Sequence, residues 1–125
     1  MKFTLAMFGL FAALTVSGCG GDDEDDATAD PASACKSITA EICSKFFGCF
    51  TEAEQQAAAA LIGNNEADCR TKFEQNQCNE QMLKCDSGKT YSSAKASECL
   101  EQYKALSCSE VSGGTSPAAC DAICQ

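Results

Sequence analysis

Ten cysteines lie between Cys35 and Cys124, and no other feature of this sequence limits its fold so tightly. They are Cys35, Cys43, Cys49, Cys69, Cys78, Cys85, Cys99, Cys108, Cys120 and Cys124. An even set of this size in about 90 residues predicts about five disulfides, provided the chain folds where disulfides persist. Other uses of the thiols fit poorly. No Cys-x-x-Cys occurs, so a thioredoxin-type redox pair, a zinc knuckle and c-type haem attachment all lack their signature. With no histidine in the chain, zinc would need a site of cysteine alone, and these spacings are far from zinc ribbons. No metal and no cofactor is expected.

The residues around the cysteines repeat with helical period. Over 34–50, Cys35, Ile38, Ile42, Phe46 and Cys49 recur in steps of three and four, one face of a helix. Thr51-Glu52-Ala53-Glu54 is a capping box, opening a second helix that runs through the alanines of 57–60 and Leu61 to a stop at Gly63. A third helix holds Cys69 and Phe73, and Met82, Leu83 and Cys85 form a short fourth. Ser92 or Ser93 starts another, with Ala96, Cys99, Leu100, Tyr103 and Leu106 facing inward. Ser116-Pro117 opens a terminal helix that carries Cys120 and Cys124. No stretch alternates with period two. The predicted class is all-α, short helices stapled by disulfides. Staples suit a chain with only six aromatics beyond Ala34 to build a core.

Two segments echo one another. "EADCRTKFEQNQC" and "ASECLEQYKALSC" each place an acid before Cys, an aromatic four residues on and a second Cys nine residues on. Nine residues at the helical pitch is half a turn out of phase, so Cys78 and Cys108 belong at or beyond their helix ends. Cys120 and Cys124 share a face, and a bridge between them within one helix would be strained. The terminal helix is too short to stand alone. It is therefore expected to be stapled to the first helix, with Cys120 and Cys124 pairing to cysteines of 35–49. The competing pattern is local, Cys69 with Cys78 and Cys99 with Cys108.

The N-terminus carries a different signal. After Lys2, residues 3–16 are an apolar run of export-signal length, too short to span a bilayer. Val16-Ser17-Gly18-Cys19 resembles a bacterial lipobox, in which the Cys thiol receives a diacylglyceryl group bearing palmitate-type chains. Parity supports this reading over an ordinary secretory signal with a spare thiol: removing Cys19 from 11 cysteines leaves ten. The resemblance implies a signal peptide over 1–18, then the lipidated Cys19 with an acidic flexible tether over 19–33. A cysteine-rich helical domain follows over 34–125. The acids of the tether are contiguous and lack a turn glycine, which disfavours a calcium loop and leaves a solvated spacer. Gly20 after the cysteine is not the Asp that resembles inner-membrane retention, and acids just behind an anchor resemble surface-export signals. The expected location is the cell envelope, on the outer membrane at its periplasmic face or the cell surface. The membrane is then a partner through the N-terminal lipid.

A lipobox, an acidic tether and helices ending in "LSC…SPAAC…C" together resemble small cysteine-rich lipoproteins of the myxobacterial kind. That resemblance implies a cellular context and assigns no activity or site residue. Plant lipid-transfer and albumin-type helical disulfide folds are a looser comparison, since their adjacent Cys-Cys and Cys-x-Cys elements are missing here.

Charge narrows the partners further. The net charge is -9, but six of the 18 acids sit within 22–30, so from Pro31 on 12 acids face eight bases. Nucleic acid is not an expected partner, because phosphate binding needs clustered Lys and Arg. No histidine base, Gly-x-Ser-x-Gly or phosphate loop appears, and pairs such as Glu52/Glu54 and Glu98/Glu101 are spaced like solvated helix faces. The expected function is non-enzymatic: an interaction or structural module on the membrane surface, with an unidentified envelope protein as its candidate partner. The alternative is a binding module for a small apolar ligand between the stapled helices, using Phe46, Phe47 and Phe50, although those rings read first as core. A carboxylate-based enzyme would need two acids converging in a cleft.

Overall fold

A computed structural model describes residues 27–125. The expected signal peptide, Cys19 and most of the tether lie outside them. The described part is helical, and its only strand-like pairing is an isolated antiparallel bridge between Tyr91 and Cys124. Six helices follow in order: α1 Pro31–Cys49, α2 Glu52–Ile62, α3 Glu66–Gln77, α4 Ser93–Ala105, α5 Cys108–Ser112 and α6 Ala118–Asp121. Among the described residues no helix is long and apolar enough to cross a membrane.

Each of the first five helices begins at a side-chain cap. Asp30 accepts from the Ser33 amide at 2.9 Å and its hydroxyl at 2.7 Å, so α1 starts at Pro31 rather than Ala34. Asn65 caps α3 and Ser92 caps α4. Thr51–Glu54 closes the expected capping box on α2, which ends at Gly63. Ser107–Glu110 closes a second box on α5, a helix that the sequence reading did not include although its Ser-x-x-Glu signal is present.

These caps respond to pH. The Thr51 amide, then its hydroxyl, hold the Glu54 carboxyl below its ordinary 4.5. The Ser107 hydroxyl, then its amide, do the same for Glu110. A carboxyl with a lower value in the folded state stabilises fully above its unfolded value, and that contribution is lost as pH falls through the folded one. Amides in the first turns of α2 and α5 are therefore expected to lose protection, relative to their intrinsic exchange rates, once the pH drops below the ordinary glutamate value. Hydrogen exchange across an acid titration measures it. A Glu54→Gln/Glu110→Gln protein with the same acid response would exclude the caps as its source.

α1 is the hub. α3, α4 and α5 all pack on it, while α6 lies on α4 and α2 touches α3. Three disulfides radiate from α1: Cys35–Cys78 and Cys43–Cys69 to α3 and its end, and Cys49–Cys108 to α5. As expected from the half-turn phase, Cys78 is the residue ending α3, and Cys108 lies beyond the end of α4 as the first residue of α5. The other two bridges are Cys85–Cys124 and Cys99–Cys120.

These last two overturn the expected pairing of the terminal helix with α1. The three cysteines of α1 are already occupied by Cys69, Cys78 and Cys108, and the chain comes back onto α4 instead. There Ala119 is buried, Thr90 and Gln125 exchange backbone hydrogen bonds, and the Ser92 amide donates to the Ile123 carbonyl. The local alternative, Cys69 with Cys78 and Cys99 with Cys108, does not form either. α6 is itself a single turn with no side-chain cap, so Cys124 falls beyond it in the bridge to Tyr91. Met82, Leu83 and Cys85 lie in turns, not in a helix, where Asn79 caps the backbone of Gln81 and Met82 through its side chain.

The fold also begins earlier than residue 34. Thr28 is 1% exposed, and the Tyr91 hydroxyl donates to its carbonyl at 2.6 Å. Burial pushes the Tyr91 phenol above its usual value, and the nearby Asp30 charge adds to this.

The core is made of small groups. Ala34, Thr39, Cys43, Cys69, Ala96, Cys99 and Ala119 are buried, and Leu100 is the one large aliphatic side chain among them. Cys43 is 0% and Cys69 1% exposed, so their disulfide fills the α1–α3 contact. Sulfur does here what branched aliphatics do in larger domains.

Candidate functional site: two grooves along the first helix

The α1 face marked by the helical period is not the deepest one. Ala34, Thr39 and Cys43 are buried, whereas Cys35, Ile38, Ile42, Phe46 and Cys49 are half-buried. The docking of α3 and α4 draws Cys43 inward and rotates the aliphatic stripe toward the surface. That stripe becomes the floor of two half-open grooves set along α1.

The first groove, about 210 Å³, lies at the N-terminal half of α1. Ala34, Ile38, Leu83, Tyr91 and Ile123 line it, and Met82, 59% exposed, stands at its rim. The Cys85–Cys124 bridge joins the two segments that form its far wall. The second, the Phe groove, is about 280 Å³ and is lined by Ile42, Phe46, Phe50, Leu106 and Val111, with Lys45, Tyr103 and residues 114–116. Both are smaller than the roughly 300–1,000 Å³ of drug-sized pockets.

The aromatic cluster is thus a wall rather than core. Phe46 and Phe50 stack with centroids 4.4 Å apart and planes at 19°, and Phe47 meets Phe46 edge-on at 5.4 Å without lining the groove. Tyr103 and Leu106, also expected inside, are half-buried on the opposite side. The Cys49–Cys108 bridge holds α5, and with it Val111, across from the rings.

Lys45 is the group that sequence reasoning missed. Its ammonium donates to the carbonyls of Lys104 at 2.7 Å and Leu106 at 2.9 Å, bracing α1 against the open end of α4. A cation there complements the partial negative charge of a helix C-terminus. Lys72 of α3 serves α2 in the same manner, donating to Ala59 and Ala60 at 3.3 Å. Nothing in the linear spacing marks either lysine, because the acceptors come from another helix.

The carboxylate pairs stay on helix surfaces. Glu98 pairs with Lys95 at 2.6 Å and Glu101 with Lys104 at 2.8 Å, while Glu54 is occupied by its capping box. Arg70 and Glu66 form a further pair one turn apart. Among the described residues no group of three Cys, Asp or Glu side chains is placed to hold a metal ion.

Comparison with known protein families, with curated proteins and with solved structures finds no match for this chain.

Proposed function

We propose that this chain is a lipid-anchored protein of the cell envelope, tethered through Cys19, whose disulfide-stapled helical domain is a non-enzymatic interaction or structural module. One observation carries the anchor. All ten cysteines from Cys35 to Cys124 pair with one another, so none is left in the folded domain as a disulfide partner for Cys19. The odd cysteine is the one in the lipobox-like Val16-Ser17-Gly18-Cys19. Extensive disulfide bonding also favours an oxidising compartment outside the cytoplasm. The outer membrane and a protein partner in the envelope follow from the same reading.

In a host with lipoprotein-processing enzymes, Cys19→Ala is expected to abolish incorporation of a fatty-acid label and to move the protein from the membrane to the soluble fraction. A variant that stays membrane-bound and labelled would refute the anchor.

A second reading adds a small ligand. It is supported by the Phe groove, an open space of about 280 Å³ whose lining includes Phe46, Phe50, Leu106 and Val111.

A further inference from the structure

We propose that the Phe groove binds the carboxylate end of a medium-chain apolar acid, with Lys45 holding the head group. This rests on the small-ligand reading and names its chemistry. Lys45 is the one charged residue lining the groove, and no carboxylate lines it. Its ammonium has three protons, of which the carbonyls of Lys104 and Leu106 take two. Both acceptors are neutral, so the charge is held in place but not cancelled by an ion pair. Tyr103, Thr115 and Ser116, which carry hydroxyls, line the same groove.

One remaining ammonium proton and a few hydroxyls match a monoanion. A phosphate dianion would keep unmatched charge, and a cationic head would be repelled by Lys45. The rest of the surface is Ile42, Phe46, Phe50, Leu106 and Val111, which favours an alkyl tail. A 150 Å³ cavity that holds benzene implies ~25 Å³ per heavy atom. On that scale 280 Å³ accepts roughly eleven heavy atoms, the size of octanoate. The neighbouring groove on α1 is lined by no charged residue, so of the two grooves along α1 only the Phe groove offers a head-group partner.

The test titrates octanoate, and in parallel 1-octanol, into the oxidised chain from Gly20 onward, followed by backbone amide NMR shifts. This chain contains every disulfide and buried residue described. Octanoate is expected to shift Lys45, Phe46, Tyr103, Val111 and Gly114, and to bind about tenfold tighter than octanol, as one charge-assisted hydrogen bond gives. Lys45→Met should bring octanoate down to the level of octanol, and Lys45→Arg should keep the preference. Because Lys45→Met also removes the brace on α4, its amide spectrum away from the groove must match that of the parent. If it does not, the Lys45→Arg comparison and the octanol comparison decide. Octanol binding as tightly as octanoate would overturn the role of Lys45 while leaving the apolar pocket standing. Binding of neither by about 1 mM would overturn both.

Discussion

Full reduction is expected to unfold the described domain at room temperature. The five bridges close separations of 21 to 59 residues. By loop-closure entropy each such bridge is worth roughly 3–4 kcal/mol, with interleaved loops making the values less than additive. Whole domains have a net stability of only about 5–15 kcal/mol, so losing even a few of these bridges exceeds what the rest of the fold supplies. That rest is small. The buried side chains are alanine, threonine, half-cystine and Pro117 with the single Leu100, and no residue of α2 is buried. Every helix but the 19-residue α1 has at most 13 residues, lengths that are marginal in isolation, so most of the helical signal should fall with the tertiary fold and not outlast it. Circular dichroism before and after reductant, with free thiols counted by mass-tagging, measures both changes. A reduced protein that keeps its helicity and melts cooperatively would contradict this account. The order of reduction is informative as well. Cys43–Cys69, with both residues at most 1% exposed, should be the last bridge to yield in native buffer.

Gly63→Ala is expected to be the most damaging single substitution outside the cysteines, at about 2–4 kcal/mol. Gly63 ends α2 at φ 92°, in the region that L side chains rarely adopt. It is also buried, and a methyl group there would sit 2.5 Å from Cβ of Asp68 and 3.1 Å from the Cys69 amide nitrogen. Relief requires moving the first turn of α3, which is fixed by the Asn65 cap and by Cys69 in its bridge to α1. The strain cannot be absorbed by a flexible side chain. Gly48 is the control. It lies inside α1, is exposed, and a methyl group there would meet nothing within 4 Å. Gly48→Ala should therefore stabilise by about 0.5–1 kcal/mol through helix propensity. Thermal melts of the two variants, disulfides intact, give the comparison. Equal effects would mean that the tight turn between α2 and α3 is not the constraint described.

The sequence by itself determined what local rules govern. The capping box at Thr51 and the stop at Gly63 depend on atoms three or four residues apart and are where the spacing put them, and of the two candidate starts, Ser92 and Ser93, the cap is Ser92. The all-α class and the five-bridge framework follow equally from period and parity. So does the placing of Cys78 and Cys108 at or past helix ends, which needs only the helical pitch. The Ser107–Glu110 box is legible too, although a five-residue helix carries too little apolar periodicity to mark the segment as helical.

Only the tertiary structure decided which thiols meet. Cysteine chemistry is the same at every position, and partner choice depends on how helices cross, which spacing along one helix does not contain. Cys120 and Cys124 are expected on α1 because their own helix is too short to stand alone. α1 is the hub, but the cysteines at 69, 78 and 108 reach it first, and the chain end settles on α4. The same limit hid the candidate site. Ile38, Ile42 and Phe46 form a helix face in either case, and whether that face is core or groove floor depends on the rotation of α1 set by the buried Cys43–Cys69 bridge. Lys45 acquires its place only when the end of α4 arrives beside it, because the carbonyls that hold it lie some sixty residues away along the chain.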